Sequence, residues 1–169
     1  MALLTILTAP DKRLKKKSEP IGQVDSQIQQ LMDNMAETMY AANGIGLAAP
    51  QVGIHKQVIV VDVNYPREGA EKNPIFLANP KIIESEGISR FEEGCLSVPD
   101  QVAEVERAER IVVQGLGRNG EPVVMEAEDI LAICLQHEID HLSGILFIDH
   151  LSRLKRSIIL KKLKTRKET

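Results

Sequence analysis

The feature that most constrains the fold of this chain is the sequence His137-Glu138-Ile139-Asp140-His141, which lies in an apolar segment with helical spacing. Residues four apart lie on one face of an α-helix, one turn above the other. Both imidazoles can therefore bind one metal ion, with Glu138 beside them to accept a proton from water. The motif predicts a hydrolytic metal site on a helix that the rest of the chain must bury.

The motif leaves the third protein ligand open. Metzincins have a histidine where this chain has Phe147, and thermolysin-like enzymes use a downstream glutamate. After the motif the chain has only the acids Asp149 and Glu168. The remaining candidate lies upstream, in Glu93-Gly94-Cys95-Leu96-Ser97. The Cys95 thiolate could complete a set of three ligands and leave a fourth position for water.

Both cysteines also have a structural interpretation. A single cysteine after a glycine is ordinarily a small buried apolar residue, and only the histidine pair favours a ligand role for Cys95. Cys134 lies three residues before His137 on the same helix, where a third ligand would strain a tetrahedral centre. We interpret Cys134, together with Ile130 and Ile133, as apolar lining beside the metal.

A run of small residues, Gly44-Ile45-Gly46-Leu47-Ala48-Ala49-Pro50-Gln51, matches the loose dinucleotide pattern G-x-G-x-x-A. That pattern must follow a strand and open a helix. Here it follows a predicted helix, and Pro50 and Gly53 argue against a helix after it, so we reject this interpretation. Small residues instead let a peptide approach the backbone, and the Gln51 amide could donate to a developing oxyanion. By itself, the run is equally well explained as a tight turn packed in the core.

Length and composition predict one domain, because 169 residues, 43% of them hydrophobic, suffice for one buried core and are few for two. No run reaches the roughly 18 apolar residues of a membrane span, and the N-terminus lacks the basic start of a secretion signal. We therefore expect a cytoplasmic protein with reduced cysteines. A monomer is expected, because no long exposed apolar face stands out.

Local patterns predict an α+β domain, with short, mostly antiparallel strands around a central metal-bearing helix, an N-terminal helix and a C-terminal helix. The predicted helices are residues 25–42 with Asp25 as N-cap, residues 129–142, and a helix after Ser152 with Leu154, Ile158 and Leu163 as apolar positions. Residues 64–73 are expected to form a loop. The predicted strands cover residues 58–63, 76–78, 81–86, 110–116 and 122–126, the last two joined by a hairpin turn at 118–120.

The C-terminal segment 153–169 is strongly basic, with eight lysines and arginines and one acid, Glu168, in a chain whose net charge is −3. A basic terminal segment on an acidic body suggests an anionic partner such as RNA. The alternative is a solvated helix with cations near its C-terminal dipole, and composition alone slightly favours that alternative.

Taken together, G-I-G-L-A-A-P-Q, E-G-C-L-S and H-E-I-D-H, in this order and spacing, resemble the three signature motifs of the peptide deformylases. The resemblance extends over nearly the whole chain, from residues 11–14 to a basic C-terminal helix like that of the bacterial type 1 enzymes. It implies one catalytic domain over residues 1–169. Its activity would be removal of the N-formyl group from the formyl-methionine of newly synthesised polypeptides, with release of formate. It also implies Fe(II) as the native metal, with Zn(II), Ni(II) or Co(II) able to occupy the site.

The resemblance also implies roles for single residues. The metal ligands would be Cys95, His137 and His141. Glu138 would accept the proton of the attacking water and later deliver it to the departing amine. The Gln51 side chain would be one of two donors to the oxyanion.

The Leu96 backbone N–H would be the second oxyanion donor, and Glu93 and Arg107 would form an ion pair that steadies the Cys95 loop. Several relatives carry an arginine at the rim of the substrate pocket, where this chain has Val102. The resemblance therefore does not imply that longer peptides bind at this position. The basic tail would resemble the segment that docks related enzymes on the ribosome. The residues expected to contact substrate, some through the backbone and the apolar ones through their side chains around the methionine, are Gly44, Ile45, Gly46, Phe91, Glu93, Gly94, Ile130, Ile133 and Cys134.

Three other function classes remain open. A general metallopeptidase would cleave unformylated peptides, but its downstream ligand is missing. A non-catalytic zinc module would need a fourth protein ligand, for which Cys134 is the nearby spare. An RNA-binding protein without catalysis would show salt-dependent binding that survives loss of Cys95. We expect Asp140 to be a surface or supporting group, and His55 and His150 to be exposed or structural.

Overall fold

The computed structural model describes residues 2–65 and 69–168 and has the predicted mixture of helices and antiparallel strands. Residues 66–68 of the predicted 64–73 loop, and Thr169 at the end of the basic tail, lie outside the described residues. Short 3-10 helices cover Lys12–Lys15, Ala49–Val52 and Phe147–His150. The α-helices are α1 (Ser26–Ala41), α2 (Asp129–Leu142) and α3 (Arg153–Glu168). The strands are β1 (Gly46–Ala48), β2 (Val58–Val61), β3 (Ile75–Glu86), β4 (Ser89–Cys95), β5 (Val98–Arg107), β6 (Arg110–Leu116) and β7 (Pro122–Glu128).

Helix α1 forms where the periodicity predicts it, and Asp25 caps it as expected. The Asp25 carboxylate accepts a hydrogen bond from the backbone N–H of Ile28 at 2.9 Å, which satisfies one of the free donors of the first turn. The helix ends before Asn43, whose φ of 58° lies in the left-handed region. Its buried side, which includes Met32 and Met35, packs on β1 and β2.

The five strands β1, β2, β3, β6 and β7 form one antiparallel sheet in that spatial order. In β2 the side chains of Val58 and Val60 belong to the apolar cluster on the α1 side of the sheet. Those of Ile59 and Val61 belong to the cluster on the α2 side. Because successive side chains of a strand point to opposite faces, this sheet is covered on both faces, which explains the unbroken apolar run in β2.

The prediction for the middle of the chain was wrong in two respects. The segments predicted as two strands, 76–78 and 81–86, are one strand, β3, whose register shifts between Ala78 and Lys81 and again between Ile82 and Glu84. Asn79 and Pro80 suggested a break, but the sheet accommodates them as an irregularity. The second miss was β4 and β5, which form a separate two-stranded sheet.

Helix α2 has the predicted bounds and lies against β1, β2 and β7. It is buried along most of its length, from Ala132 to Glu138, and again at His141 and Leu142. A polar motif on such a helix must find partners inside the protein, because a buried charge without a partner is costly.

Helix α3 begins after Ser152, as predicted, and the Ser152 hydroxyl accepts from the backbone N–H of Lys155 at 3.3 Å. Two of its three predicted apolar positions were wrong, since Leu154 is 71% and Ile158 is 46% exposed. The side that packs on the core instead carries Ile159 and Leu163, in one cluster with Phe147. No helix within residues 2–65 and 69–168 is long and apolar enough to cross a membrane.

Candidate metal centre

Three side chains from two distant segments form a cluster that can hold a metal. Cys95 at the end of β4 meets His137 and His141 of α2, and their donor atoms all lie within 4.8 Å of one another. Cys95 Sγ is 3.4 Å from His141 Nε2. Bonds of about 2.3 Å to sulfur and about 2.1 Å to nitrogen place the donors of a tetrahedral metal roughly 3.4–3.6 Å apart. The residues therefore fit one divalent transition metal.

The His137 ring is oriented from behind by a carboxylate. Its Nδ1 lies 2.9 Å from Glu93 Oε1, which leaves Nε2 for the cluster. Arg107 donates to both oxygens of Glu93, from Nε at 2.8 Å and from Nη2 at 2.9 Å. All three side chains are buried. The predicted Glu93–Arg107 pair is present, and its carboxylate fixes a ring that can bind metal, as carboxylate–histidine pairs do in metal sites.

The charge state of Glu93 follows from these contacts. Burial by itself would raise the pKa of this carboxyl, but hydrogen bonds from Arg107 and His137 outweigh it and lower the pKa to about 2. Glu93 is therefore ionised at any pH at which the protein works. For His141, burial and the neighbouring His137 lower the pKa well below its usual value, which favours the neutral imidazole that binds metals.

Arg107 also connects to residues whose place the sequence left open. Its Nη1 donates to Asp140 Oδ2 at 2.6 Å, and the same oxygen lies 2.8 Å from His150 Nε2. Asp140 is thus a supporting group, one of the two roles expected for it. The link to His150 was missed, because only the 3-10 helix Phe147–His150 brings that ring back to α2. His55 lies elsewhere, with Nε2 2.9 Å from the carbonyl oxygen of Arg13.

Glu138 is buried beside the cluster, and Gly46 makes room for it. A Cβ atom added to Gly46 would lie 2.5 Å from Glu138 Oε2 and 2.8 Å from Cys134 Sγ, so only glycine fits under the carboxylate and the thiol. Glu138 Oε1 is buried without a hydrogen-bond partner among the described residues. Burial raises the pKa of Glu138 to about 7, a value suited to accepting and returning a proton near neutral pH.

Gln51 is held in one orientation at the edge of the cluster. Its Oε1 accepts from the backbone N–H of Ala48 at 2.9 Å, and its Nε2 donates to Ser97 Oγ at 3.0 Å. The same Nε2 lies 3.5 Å from Cys95 Sγ. Sequence reasoning overlooked Ser97, for which an isolated serine offers no signal. The amide is therefore fixed with its N–H groups toward the candidate ligand.

The run 44–51 is packed in the core and also lies beside the metal cluster. It forms β1 and then the 3-10 helix Ala49–Val52, and it is buried from Leu47 to Gln51. A strand followed by a 3-10 helix of four residues differs from the strand–turn–helix context that a dinucleotide site requires. The packed turn and the position beside the cluster are both real.

A cavity of about 460 Å³ opens from the cluster between β1, β4 and α2. Phe91 is 42% exposed, and we place it at the mouth; Val102 is also exposed and lines the cavity. His141, by contrast, is not among the lining residues. All nine residues expected to contact substrate line this cavity, together with Gln51, Cys95, Leu96, His137 and Glu138.

Comparisons with known proteins find one family over nearly the whole chain. The family model described as Polypeptide deformylase matches residues 3–157. A peptide deformylase of Thermodesulfovibrio yellowstonii is 54% identical over 167 residues, covering 99% of this chain and 100% of that protein. One from Agrobacterium fabrum is 52% identical over 163 residues, covering 96% and 95%.

Solved structures give the same result. The crystal structure of peptide deformylase from Ehrlichia chaffeensis in complex with actinonin superposes with a TM-score of 0.94 at 45% identity, covering 100% of both chains. That of the Thermus thermophilus enzyme has a TM-score of 0.85 at 40% identity, covering 96% of this chain and 94% of the other. The similarity thus extends well beyond the three motifs.

Proposed function

Because the chain belongs to the polypeptide deformylase family, it is an enzyme that removes the N-formyl group from nascent peptides, and we propose that Cys95, His137 and His141 hold its metal. The family is metal-dependent, and these three residues form a cluster that could bind the ion. The proposed native metal is Fe(II), with Zn(II), Ni(II) or Co(II) as substitutes, because two imidazoles and a thiolate accept several divalent metals. When bound, the metal supplies a water of lowered pKa and polarises the formyl oxygen.

Glu138 is the proposed general base and acid. Its carboxylate takes a proton from the attacking water and passes it to the amide nitrogen as the C–N bond breaks, so that a neutral amine leaves. Two observations support this role: the pKa of Glu138 is raised to about 7 by burial, and Oε1 has no hydrogen-bond partner among the described residues. A group with a pKa near the working pH exchanges protons efficiently in both directions.

Gln51 and the Leu96 backbone N–H are the proposed donors to the oxyanion. The contacts of Gln51 with Ala48 and Ser97 fix its amide before substrate arrives, so no reorganisation is needed during the reaction. Leu96 directly follows Cys95, in the turn between β4 and β5. Each such donor typically lowers the barrier by about 3 kcal/mol.

The substrate peptide is proposed to bind as an added strand in the cavity. Among the described residues, β1 is the outer strand of its sheet and β4 pairs only with β5, so each offers an edge for backbone hydrogen bonds. Gly44, Ile45 and Gly46, at the start of β1, and Glu93 and Gly94, in β4, all line the cavity. The methionine side chain would then enter the apolar part of the cavity, formed by Ile45, Phe91, Ile130, Ile133 and Cys134.

We further propose that residues 1–169 act as one catalytic domain, that the enzyme is a monomer of the cytoplasm, and that the basic tail 153–169 contacts the ribosome. The substrate supports the location and the contact, because nascent formylated chains are still attached to ribosomes when the formyl group is accessible. The charge of the tail supports the choice of a partner rich in phosphate.

The observation that carries the proposed mechanism is the buried Glu138 beside three potential metal ligands, two of which, Cys95 and His137, line an open cavity together with it. The test measures formate release from formyl-Met-Ala-Ser by protein purified anaerobically with Fe(II), beside a Glu138→Gln variant of the same metal content. We expect the variant to keep its metal and to lose about 10²- to 10⁴-fold in rate. No release by the metal-loaded parent would refute the mechanism, and full activity of the variant would refute the role of Glu138.

A further inference from the structure

Two basic segments from opposite ends of the chain meet at Asp149. Residues 12–17 contain five basic residues in six positions, and residues 153–164 contain six without any acid. The Asp149 carboxylate accepts from Arg156 Nε at 2.8 Å and also pairs with the Lys15 ammonium. One carboxylate therefore joins the N-terminal 3-10 helix to the second turn of α3, and the two segments form one surface.

The link from α3 to the N-terminal segment runs through Asp149 and starts from the side of the helix that carries Arg156. Helical spacing places Arg153, Arg156 and Lys164 in one row along the helix, and Arg156 is the member that reaches Asp149. Lys155 and Ile158 lie on the other side, where they line a groove against β5. The helix therefore divides its positive charge between two sides that differ in their neighbours.

We call the surface that includes the row on α3 and the N-terminal segment the cationic face. In the N-terminal segment Lys12, Lys16 and Lys17 are exposed, and Arg13 pairs with Asp11 at 2.8 Å. Its eight basic side chains are Lys12, Arg13, Lys15, Lys16, Lys17, Arg153, Arg156 and Lys164. Asp11 and Asp149 neutralise part of this charge, and a large positive excess remains.

We propose that the cationic face binds the phosphodiester backbone of RNA, with the N-terminal segment 12–17 contributing as much as α3. The proposal rests on the proposed function, since an enzyme that acts on nascent chains meets RNA on the ribosome. Lysine and arginine contacts to phosphate give affinity without sequence preference. An anionic membrane fits less well, because interfacial helices need a broad apolar face, whereas Ile159 and Leu163 are used in the core.

The test measures binding of the full chain to a fluorescently labelled RNA hairpin over a series of salt concentrations. Two double variants remove charges from the two halves of the face, Lys16→Gln with Lys17→Gln and Arg153→Gln with Lys164→Gln. Lys15 and Arg156 stay, so the Asp149 contacts that join the segments are kept. Each double variant should lower the slope of log K against log salt by roughly 1.5, because each lost phosphate contact removes about 0.7–0.9.

The matched control removes two charges from the other side of the same helix, Lys155→Gln with Lys162→Gln, and should keep the slope of the parent. A parental slope in the Lys16 and Lys17 variant would overturn the proposal. So would an equal loss in the control, or tighter binding to phosphatidylserine vesicles than to RNA.

Formate release from a short formyl peptide, measured on the same proteins, separates this proposal from the proposed function. It should be unchanged in all the variants, because none of the substituted residues lines the cavity. A parent that binds RNA as expected and releases no formate would refute the mechanism and leave the cationic face standing. A parent that releases formate and binds no RNA would refute the RNA-binding proposal and leave the catalytic mechanism standing.

Discussion

Two arginines three residues apart, Arg107 at the end of β5 and Arg110 at the start of β6, each bridge carboxylates, and both have a contact of 2.6 Å, to Asp140 and to Glu126. Their surroundings differ. The Arg107 and Glu93 side chains are each 4% exposed, whereas Arg110 is 23% and Glu126 is 69% exposed. Contacts of 2.8 Å and 2.6 Å thus describe one pair that is shielded from water, Arg107–Glu93, and one that is open to it, Arg110–Glu126.

This difference determines what each arginine can do. Coulomb attraction is weakened by water and salt at the surface, so exposed pairs stabilise a fold little. Inside the protein a lost partner leaves an uncompensated charge, which is strongly destabilising. Because Glu93 also bonds His137, the buried pair joins the hairpin that carries Cys95 to the helix that carries both histidines.

The largest effect is expected for Arg107→Met. Two buried or half-buried carboxylates, Glu93 and Asp140, would lose their shared cation, and we expect about 3–5 kcal/mol less stability. Urea unfolding monitored by circular dichroism measures this. A loss under 1 kcal/mol would show that the network is replaced easily and would contradict the role we assign to its burial.

Glu93→Gln should destabilise the fold less than Arg107→Met, because Arg107 keeps Asp140 as a partner, and it should in addition weaken metal binding. The amide keeps the shape but gives up the charge behind the His137 ring, and losses of such supporting carboxylates lower metal affinity about 10- to 100-fold. Competition with a metal indicator gives the affinity. Unchanged affinity would mean that the ring holds its orientation without the carboxylate.

The same substitution should remove a pH dependence of stability. The folded pKa of Glu93 is about 2, below its unfolded value, so its stabilisation is complete above about pH 4.5 and is lost as pH falls toward 2. Acid titrations of metal-free parent and Glu93→Gln proteins should therefore diverge above pH 2 and converge below it. Metal-free protein is required because acid also releases the metal. Parallel curves would argue against this coupling.

Asp140→Asn should have a smaller effect, about 1 kcal/mol, because Asp140 is partly exposed and Arg107 keeps both bonds to Glu93. The measurement is thermal unfolding of the metal-loaded enzyme together with formate release. A loss as large as that of Arg107→Met would place the centre of the network at Asp140 instead.

The smallest effect is expected for Arg110→Met, the surface counterpart of the first variant. We expect no measurable change in formate release and little change in the urea midpoint at physiological salt, with any difference growing at low salt because screening is weaker there. A midpoint shift equal to that of Arg107→Met would remove the distinction between the two arginines.

How far the sequence predicted the structure depended on whether a pattern was local. Helices α1 and α2 and the β6–β7 hairpin match closely, because caps, turn residues and apolar spacing act within a few residues. The β4–β5 hairpin was missed, because its strands are rich in charged residues, with Glu92 and Glu104 directly paired across them. The buried side of α3 was predicted wrongly, because both Ile158 and Ile159 are apolar. Which of the two is buried depends on how α3 packs against the neighbouring 3-10 helix and β5.

The residues of the candidate site also differ in whether a local pattern predicts them. The two histidines, Glu138 and the run 44–51 are recognisable from residue type and spacing, and Cys95 follows from the lack of another ligand. Ser97 was not predicted, and His150 was expected only to be exposed or structural, because their contacts with Gln51, Asp140 and Arg107 depend on the tertiary structure. The roles of the catalytic and substrate-contacting residues stay predictions until the variants are measured.

By itself, the sequence determined that this chain places two histidines and a glutamate on one buried helix, and its three motifs determined the family. Helical geometry and residue chemistry act locally, so these conclusions needed no folded structure. Only the tertiary structure decided that Arg107 is enclosed while Arg110 is open to water, that Gly46 lies under Glu138, and that Asp149 joins the two ends of the chain. Burial and contact between distant segments depend on how sheets and helices pack, and no local pattern records that.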